Sequence, residues 1–179
     1  MGTQLFDAGL TAGDPPEMWN LQHPERVTDI HRSYVSAGSD IVLSNTFGGN
    51  RHRLKLHYLQ DRVAEINVAG VQCARVAADE AERSVLVAGS MGPTGELIEP
   101  LGPLSEADTE VAFAEQAEAL EAGGADLIWI ETLSDLPTVE AALRGARQAT
   151  GLPVVATLSF DTVGRTMMGL TGTEAGKRL

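Results

Sequence analysis

Residues 127–133 read LIWIETL, a run of apolar residues that ends in Glu131 and Thr132. Three similar runs occur elsewhere in the chain: 41–47 (IVLSNTF), 85–92 (VLVAGSMG) and 154–160 (VVATLSF). Each begins with consecutive apolar residues, which is typical of strands that are covered on both faces. The runs therefore predict four buried strands of a parallel sheet.

A helical pattern precedes each of the four runs or separates it from the next. The predicted helices span residues 23–37, 61–83, 105–122 and 136–149, and Ser105 with Asp108 predicts an N-cap for the third. Strands that alternate with helices form a parallel sheet with the helices outside it. Two such architectures remain open. One is a doubly wound sheet. The other is a (β/α)8 barrel, which needs about 250 residues and would therefore be incomplete here.

Composition excludes several classes of function. The chain has 179 residues, 13 Lys plus Arg and 25 Asp plus Glu, and a formal net charge of −12. No basic surface is available for nucleic acid. We find no apolar stretch of the ~20 residues that a membrane span needs, and no signal-peptide pattern. The single cysteine, Cys73, excludes an intrachain disulfide, and we expect a cytoplasmic protein.

Polar residues follow all four apolar runs. Because the carboxyl ends of parallel strands meet at one edge of a sheet, these residues predict a site for a small polar ligand. The plainer alternative is that strand ends are simply solvated turns. The residues are Ser44, Asn45 and Thr46, then Ser90, then Glu131 and Thr132, and finally Ser159 and Asp161.

Glu131 is the most informative of these positions, because it directly follows an apolar run. A carboxylate there is costly unless it is paired or hydrogen-bonded. Three interpretations are open: it receives the ammonium group of a substrate, it acts as a base, or it forms a structural salt bridge with Arg or Lys. Other polar residues have plainer interpretations. We expect His31 to be a surface or hydrogen-bonded histidine, Cys73 a buried structural cysteine, and Asp161 with Arg165 a solvated turn.

Five motifs follow one another along the chain: MGTQL (1–5), HPERVTDIHRSYVSAGSDIVLSNTF (23–47), AGSMGPTG (88–95), EAGGADLIWIETLSDL (121–136) and SFDTVGRTMMG (159–169). Together they resemble the homocysteine S-methyltransferase family, from residue 1 to about residue 173. The resemblance implies a (β/α)8 barrel and the transfer of a methyl group from a small donor to the thiol of homocysteine, which gives methionine. It also implies a zinc ion, held by three cysteines, that coordinates this thiol.

The same resemblance implies a set of substrate-binding residues. Glu131 matches the glutamate that binds the homocysteine amino group. The other matching positions are Asn45, Thr46 and Phe47 after the first run, Gly2 and Thr3 in a loop whose backbone lies near homocysteine, and, more weakly, Ser90.

The departures from the family pattern are equally informative. The family's first strand, its last three strands and its three zinc cysteines have no counterpart here, and Cys73 matches none of them. We therefore expect residues 1–179 to form one partial barrel domain of about four strands. This chain would have no zinc ligands and no catalytic residues, and little or no activity alone. We also expect its open edges to pair with another copy or a complementary piece.

Two other functions remain as alternatives. One is a half-barrel that binds a small amino acid or a partner without catalysis. The other is a complete doubly wound enzyme that uses Glu131 and Asp161 as acid and base.

Overall fold

A computed structural model describes all 179 residues of the chain. Eight helices and four strands alternate along most of it. The helices are α1 (Gly2–Asp7), α2 (Trp19–Gln22), α3 (Pro24–Ser36), α4 (Arg51–Lys55), α5 (Val63–Asp79), α6 (Glu106–Ala122), α7 (Leu136–Ala149) and α8 (Gly172–Arg178). The strands are β1 (Ile41–Leu43), β2 (Leu86–Met91), β3 (Leu127–Leu133) and β4 (Val154–Leu158). None of the helices combines the length and the apolar character needed to cross a bilayer.

The four strands form one parallel sheet in the order β1-β2-β3-β4. Each strand therefore pairs with its neighbour along the chain, and the order never reverses. A doubly wound sheet needs such a reversal, whereas successive strands of a (β/α) barrel follow one another in this way. The prediction of an incomplete barrel with four strands is confirmed, and the doubly wound alternative is wrong.

The strand positions agree with the sequence prediction, but three strands are shorter. The prediction for the first strand extended to residue 47, whereas β1 ends at Leu43. Ladder pairing between β1 and β2 stops at the pair Leu43–Ala88. Beyond this pair the hydroxyl groups of Ser44 and Thr46 bond the backbone of Ser90, as described below. Hydrogen bonds from side chains thus replace those of the backbone ladder, and the chain after Leu43 turns away from the sheet.

The four long predicted helices are confirmed as α3, α5, α6 and α7. Ser105 caps α6, since its hydroxyl oxygen accepts a hydrogen bond from the backbone N–H of Asp108. Asp135 caps α7 in the same way through the N–H of Thr138. The short helices α1, α2, α4 and α8 were not predicted, because segments of four to seven residues carry too little periodicity to be recognised.

The core lies between the sheet and helices α5, α6 and α7. Its centre includes Phe113 and Leu120 of α6 and Ile128 and Ile130 of β3, all completely buried. Small residues allow α6 and α7 to approach closely. A Cβ atom at Gly145 of α7 would lie 2.3 Å from the carbonyl oxygen of Glu110 on α6.

This close approach predicts the effect of an added methyl group. Gly145→Ala should lower the free energy of unfolding by about 1–3 kcal/mol, because the two helix backbones must move apart. Gly176→Ala in α8 is the control, since nothing lies within 4 Å of its added Cβ. That change should stabilise by up to about 1 kcal/mol through helix propensity. Urea denaturation of both variants provides the measurement, and equal effects would contradict the packing argument.

Candidate functional site

A cleft of about 430 Å³ runs along β1, from Ser39 before the strand to Phe47 after it, and reaches Ser90 and Glu131 at the carboxyl ends of β2 and β3. Its apolar part includes Ile41 and Leu43 of β1. Polar groups line the rest, among them Asn45, Ser90 and Glu131. No Lys or Arg side chain lines the cleft. Its charged side chains are the carboxylates of Glu17 and Glu131, and the N-terminal residue Met1 also lines it.

Glu131 is hydrogen-bonded across the strands and is not in a salt bridge. The hydroxyl of Ser90 on β2 donates to Oε1 of Glu131, with an oxygen–oxygen distance of 2.5 Å. No Arg or Lys pairs with Glu131, so the salt-bridge interpretation is wrong. The next residue, Thr132, has a φ of +67°, which a β-branched residue rarely adopts. The register of β3 against β4 also shifts between Ile130 and Leu133, so the backbone is irregular at Glu131.

A closed ring of hydrogen bonds joins the end of β1 to β2 beneath the cleft. The backbone N–H of Ser90 donates to Oγ of Ser44 (3.1 Å), and Oγ1 of Thr46 donates to the carbonyl oxygen of Ser90 (2.7 Å). The two hydroxyl oxygens lie 2.6 Å apart. Since the hydroxyl proton of Thr46 is already used, Ser44 is the donor to Thr46. Every group in the ring is satisfied, so the backbone of Ser90 is held in place.

Buried amide side chains fix the turn that follows this ring. Nε2 of Gln116 on α6 donates to the carbonyl oxygen of Thr46 (2.8 Å) and to Oδ1 of Asn67 on α5 (3.0 Å). Nδ2 of Asn67 in turn donates to the carbonyl oxygen of Gly49 (2.8 Å). The turn at 46–49 is therefore attached to two helices, which makes it a rigid part of the cleft.

The structure brings five of the seven predicted site residues to the cleft: Gly2, Asn45, Phe47, Ser90 and Glu131. Thr46 is completely buried below it and takes part in the hydrogen-bonded ring instead. Thr3 is exposed on α1 and does not line the cleft. Gly2 has open space around it, so close approach does not explain a glycine there.

Sequence reasoning missed Glu17 as a member of the cleft. Glu17 lies in a short 3-10 helix, Pro16–Met18, and is only 7% exposed. Its Oε1 accepts a hydrogen bond of 2.7 Å from the backbone N–H of Gly48. A Cβ at position 48 would lie 2.7 Å from the same oxygen, so only glycine permits this contact. No local pattern marks Glu17, since its partner is 31 residues away.

The interpretation of His31 as a surface or hydrogen-bonded histidine was wrong. His31 lines the cleft, is 1% exposed, and its Nε2 has no hydrogen-bond partner. Burial, with a smaller contribution from the charge of the N-terminus, lowers the pKa of His31 to about 4. Its imidazole is therefore neutral at pH 7. The spacing of Val27, Ile30 and His31 on one face of α3 already indicated burial.

A second cleft, of about 650 Å³, opens beside the ends of β3 and β4. It is larger, but two of its three carboxylates are occupied by local structure, and the third, Glu96, lies 3.9 Å from Nδ1 of His52. Asp135 caps α7, and Oδ1 of Asp161 accepts from the backbone N–H groups of Val163 and Arg165. Asp161 is exposed, as expected of a solvated turn, and it does not line the first cleft with Glu131. We therefore reject the acid–base pair of Glu131 and Asp161.

The residues of this chain do not fit a zinc site. No three His, Cys, Asp or Glu side chains are arranged so that they could hold a metal ion. Cys73 is buried in α5, where Sγ lies 3.9 Å from the carbonyl oxygen of Asn20. Burial raises the pKa of the Cys73 thiol, which is the opposite of what a thiolate ligand requires.

The fold and the cleft define a parallel α/β barrel-type protein with a small polar site at the strand ends. The sequence model of the homocysteine S-methyltransferase family matches residues 1–179, and the chain belongs to this family. It is similar to methionine synthase of Mycobacterium tuberculosis, at 37% identity over 183 residues, and to that of Mycobacterium leprae, at 35%. Each match covers 94% of this chain but only 15% of the relative.

Solved structures show the same fold. The oxidized form of the homocysteine methyltransferase MmuM from Escherichia coli superimposes with a TM-score of 0.84 at 21% identity, covering all of this chain and 66% of that enzyme. The metallated form of MmuM gives a TM-score of 0.82 and covers 96% of this chain and 65% of that enzyme. The chain thus corresponds to about two thirds of the enzyme's length.

The lowered pKa of His31 predicts a pH-dependent stability. Between pH 6.5 and 4, His31 binds a proton in the unfolded chain but not in the folded chain. Stability therefore falls as the pH falls through this range. The loss of folding stability amounts to about 3 kcal/mol at most, and it is absent above pH 6.5. Denaturation of the wild type and of His31→Gln across this range should show a steeper slope for the wild type. His57→Gln, which changes an exposed histidine, should keep the steep slope.

Proposed function

We propose that residues 1–179 form a partial barrel domain that binds homocysteine for methyl transfer to its thiol. The observation that carries this proposal is the Glu131–Ser90 pair in a cleft without Lys or Arg. A carboxylate already oriented by a neighbouring hydroxyl is preorganised to receive an ammonium group. Membership of the homocysteine S-methyltransferase family supplies the ligand class.

The other cleft residues fit an amino acid with a short apolar side chain. Leu43, at the carboxyl end of β1, offers an apolar surface for methylene groups. Phe47 is 38% exposed, and its ring packs so closely on Gly92 that an added Cβ there would lie 2.6 Å from it. We propose that Asn45 and Phe47 contact the ligand directly and that Thr46 acts indirectly, by holding Ser90. Gly2 would then contribute only backbone groups at the rim, and Thr3, which lies outside the cleft, would not contact the ligand.

Methyl transfer requires the thiol of homocysteine as a thiolate, since the thiol itself is a poor nucleophile. The family's zinc would supply this activation, but the residues of this chain offer no site for it. We therefore propose that this chain provides substrate binding, and that it has little or no activity alone. The second candidate function is a binding module without catalysis, which the absence of zinc ligands also favours.

The open sheet and the free cysteine bear on the partners and the location of the protein. We propose a small methyl donor as the second substrate and association of the open sheet with another copy. Both sheet edges, at β1 and β4, lack a neighbouring strand, which leaves backbone groups free for pairing. A thiol substrate and a lone free cysteine suit a reducing compartment, so we propose the cytoplasm.

Calorimetric titration with L-homocysteine tests the proposed ligand. The wild-type chain should bind, and Glu131→Gln should weaken binding by about tenfold or more, because a charged partner of the ammonium is lost. The glutamine can still accept the hydrogen bond from Ser90, so the fold should be retained. Glu118→Gln, an exposed change of equal charge on α6, is the control. A wild-type chain that does not bind homocysteine would overturn the proposal.

The metal content of the purified chain tests the assignment of catalysis. After dialysis against a mild chelator, elemental analysis should find far less than one zinc per chain, because no ligand set exists. Cys73→Ala should leave this value unchanged. One zinc per chain, or rapid formation of methionine by this chain alone, would contradict the proposal that this chain has no zinc site and little activity.

A further inference from the structure

We propose that Asn45 presents its side-chain oxygen Oδ1 to the ligand as a hydrogen-bond acceptor, and that Asn20 is the positioning residue that fixes this orientation. The inference rests on the proposed function and extends it, because it assigns the atom of Asn45 that meets homocysteine and the group that this atom binds. Asn45 is 4% exposed and lines the first cleft at the turn after β1. Asn20 lies in α2, is 2% exposed and does not line the cleft.

Two backbone carbonyl groups determine the orientation of the Asn20 amide. Its Nδ2 donates to the carbonyl oxygen of Asn45 (2.8 Å) and to that of Ile66 (3.2 Å). A carbonyl oxygen only accepts hydrogen bonds, so the nitrogen of the amide must lie on this side. Gly70 of α5 leaves room for the contact, since a Cβ there would lie 2.6 Å from Nδ2 of Asn20. Oδ1 of Asn20 therefore faces the side chain of Asn45 as an acceptor.

The amide of Asn45 has only one favourable orientation as a result. Its Nδ2 donates to Oδ1 of Asn20 (2.9 Å) and to the carbonyl oxygen of Pro16 (2.8 Å). If the amide were turned over, its oxygen would lie against these two acceptors and all three would be unpaired, which is costly in a buried network. Both N–H groups of the Asn45 amide are thus used inside the protein, and only its oxygen remains for a ligand.

Oδ1 of Asn45 accepts no hydrogen bond from the chain, although the rest of its amide is fully paired. It is not enclosed in the interior, as the unpaired Nε2 of His31 is, so it is accessible from the cleft that Asn45 lines. The N-terminal residue Met1 also lines this cleft, but no hydrogen bond joins its amino group to Asn45. Polar groups on buried side chains are rarely left without a partner. An oxygen that is held in place, unpaired and open to a cleft indicates a ligand that donates a hydrogen bond.

The chemistry of homocysteine identifies the donor. Its carboxylate only accepts hydrogen bonds, and its thiolate, the form that reacts, has no proton to donate. The ammonium group carries N–H donors and is the group that an acceptor-only oxygen can bind. Hydrogen bonds from a charged donor are also stronger than those between neutral groups. Asn45 therefore distinguishes an amino acid from a thiol that lacks the amino group.

Calorimetric titration of the full chain with two probes tests the role of Asn45. L-Homocysteine and 4-mercaptobutanoate share the thiol and the carboxylate, but the second has no amino group. Asn45→Leu removes the acceptor and should weaken the binding of L-homocysteine about tenfold and that of 4-mercaptobutanoate less than about twofold. Asn67→Leu is the control, since Asn67 also holds the turn, through Gly49, but does not line the cleft. It should change the affinity for both probes by the same factor.

Asn20→Leu tests the positioning role, because it leaves Asn45 in place and releases its amide. We expect this variant to reduce the preference for L-homocysteine over 4-mercaptobutanoate, whereas a merely structural role of Asn20 would lower the affinity for both probes equally. NMR of the wild-type chain provides a measurement that does not depend on the folding of a variant. The side-chain N–H protons of Asn45 should exchange slowly with water, and its amide signal should shift more with L-homocysteine than with 4-mercaptobutanoate.

The outcomes separate this inference from the proposed function. If the wild type binds L-homocysteine and Glu131→Gln weakens it, but Asn45→Leu and Asn20→Leu leave the ratio of the two affinities unchanged, this inference is wrong and the proposed function stands. Fast exchange of the Asn45 side-chain protons, or equal shifts of its signal with the two probes, would overturn the fixed orientation or the ammonium contact. If the wild type does not bind L-homocysteine, both the inference and the proposed function are wrong.

Discussion

The hydrogen-bonded ring of Ser90, Ser44 and Thr46 is the interaction on which the site depends. It ends the ladder between β1 and β2 and satisfies both backbone groups of Ser90 with hydroxyl groups. Because side-chain hydrogen bonds replace the backbone ladder here, the chain after Leu43 leaves the sheet and forms the turn that carries Phe47 and Gly48. Ser90 is held at the same time, and its hydroxyl remains free to orient Glu131. Strand termination and the orientation of Glu131 therefore depend on the same hydrogen bonds.

Amide side chains extend this arrangement into the helices around the sheet. Gln116 of α6 and Asn67 of α5 fix the turn at 46–49, and Asn20 of α2 bonds both the backbone and the side chain of Asn45. Buried polar networks of this kind favour a unique conformation when their members are satisfied. Among the enclosed polar atoms of this network only Oε1 of Gln116 lacks a partner, so the turn at 46–49 is held by the remaining hydrogen bonds.

Much of the fold was predictable because its signals are local. The apolar start of each strand, the cap at Ser105 and the long amphipathic helices all depend on residues near each other in the chain. Glu131 was predictable for the same reason, since a carboxylate after an apolar run is conspicuous. Glu17 and His31 were not predictable as site residues. Glu17 meets Gly48 only after folding, and the unpaired Nε2 of His31 is a property of its surroundings.

The sequence by itself determined the alternation of helices and strands, the parallel sheet, the negative charge and the family of the protein. Periodicity, capping residues and long ordered motifs carry this information, because each depends on short stretches of chain. Only the tertiary structure decided the strand order, the end of β1 at Leu43 and the meeting of Glu17, Ser90 and Glu131 in one cleft. These features depend on contacts between residues 31 to 46 positions apart, for which no local pattern exists.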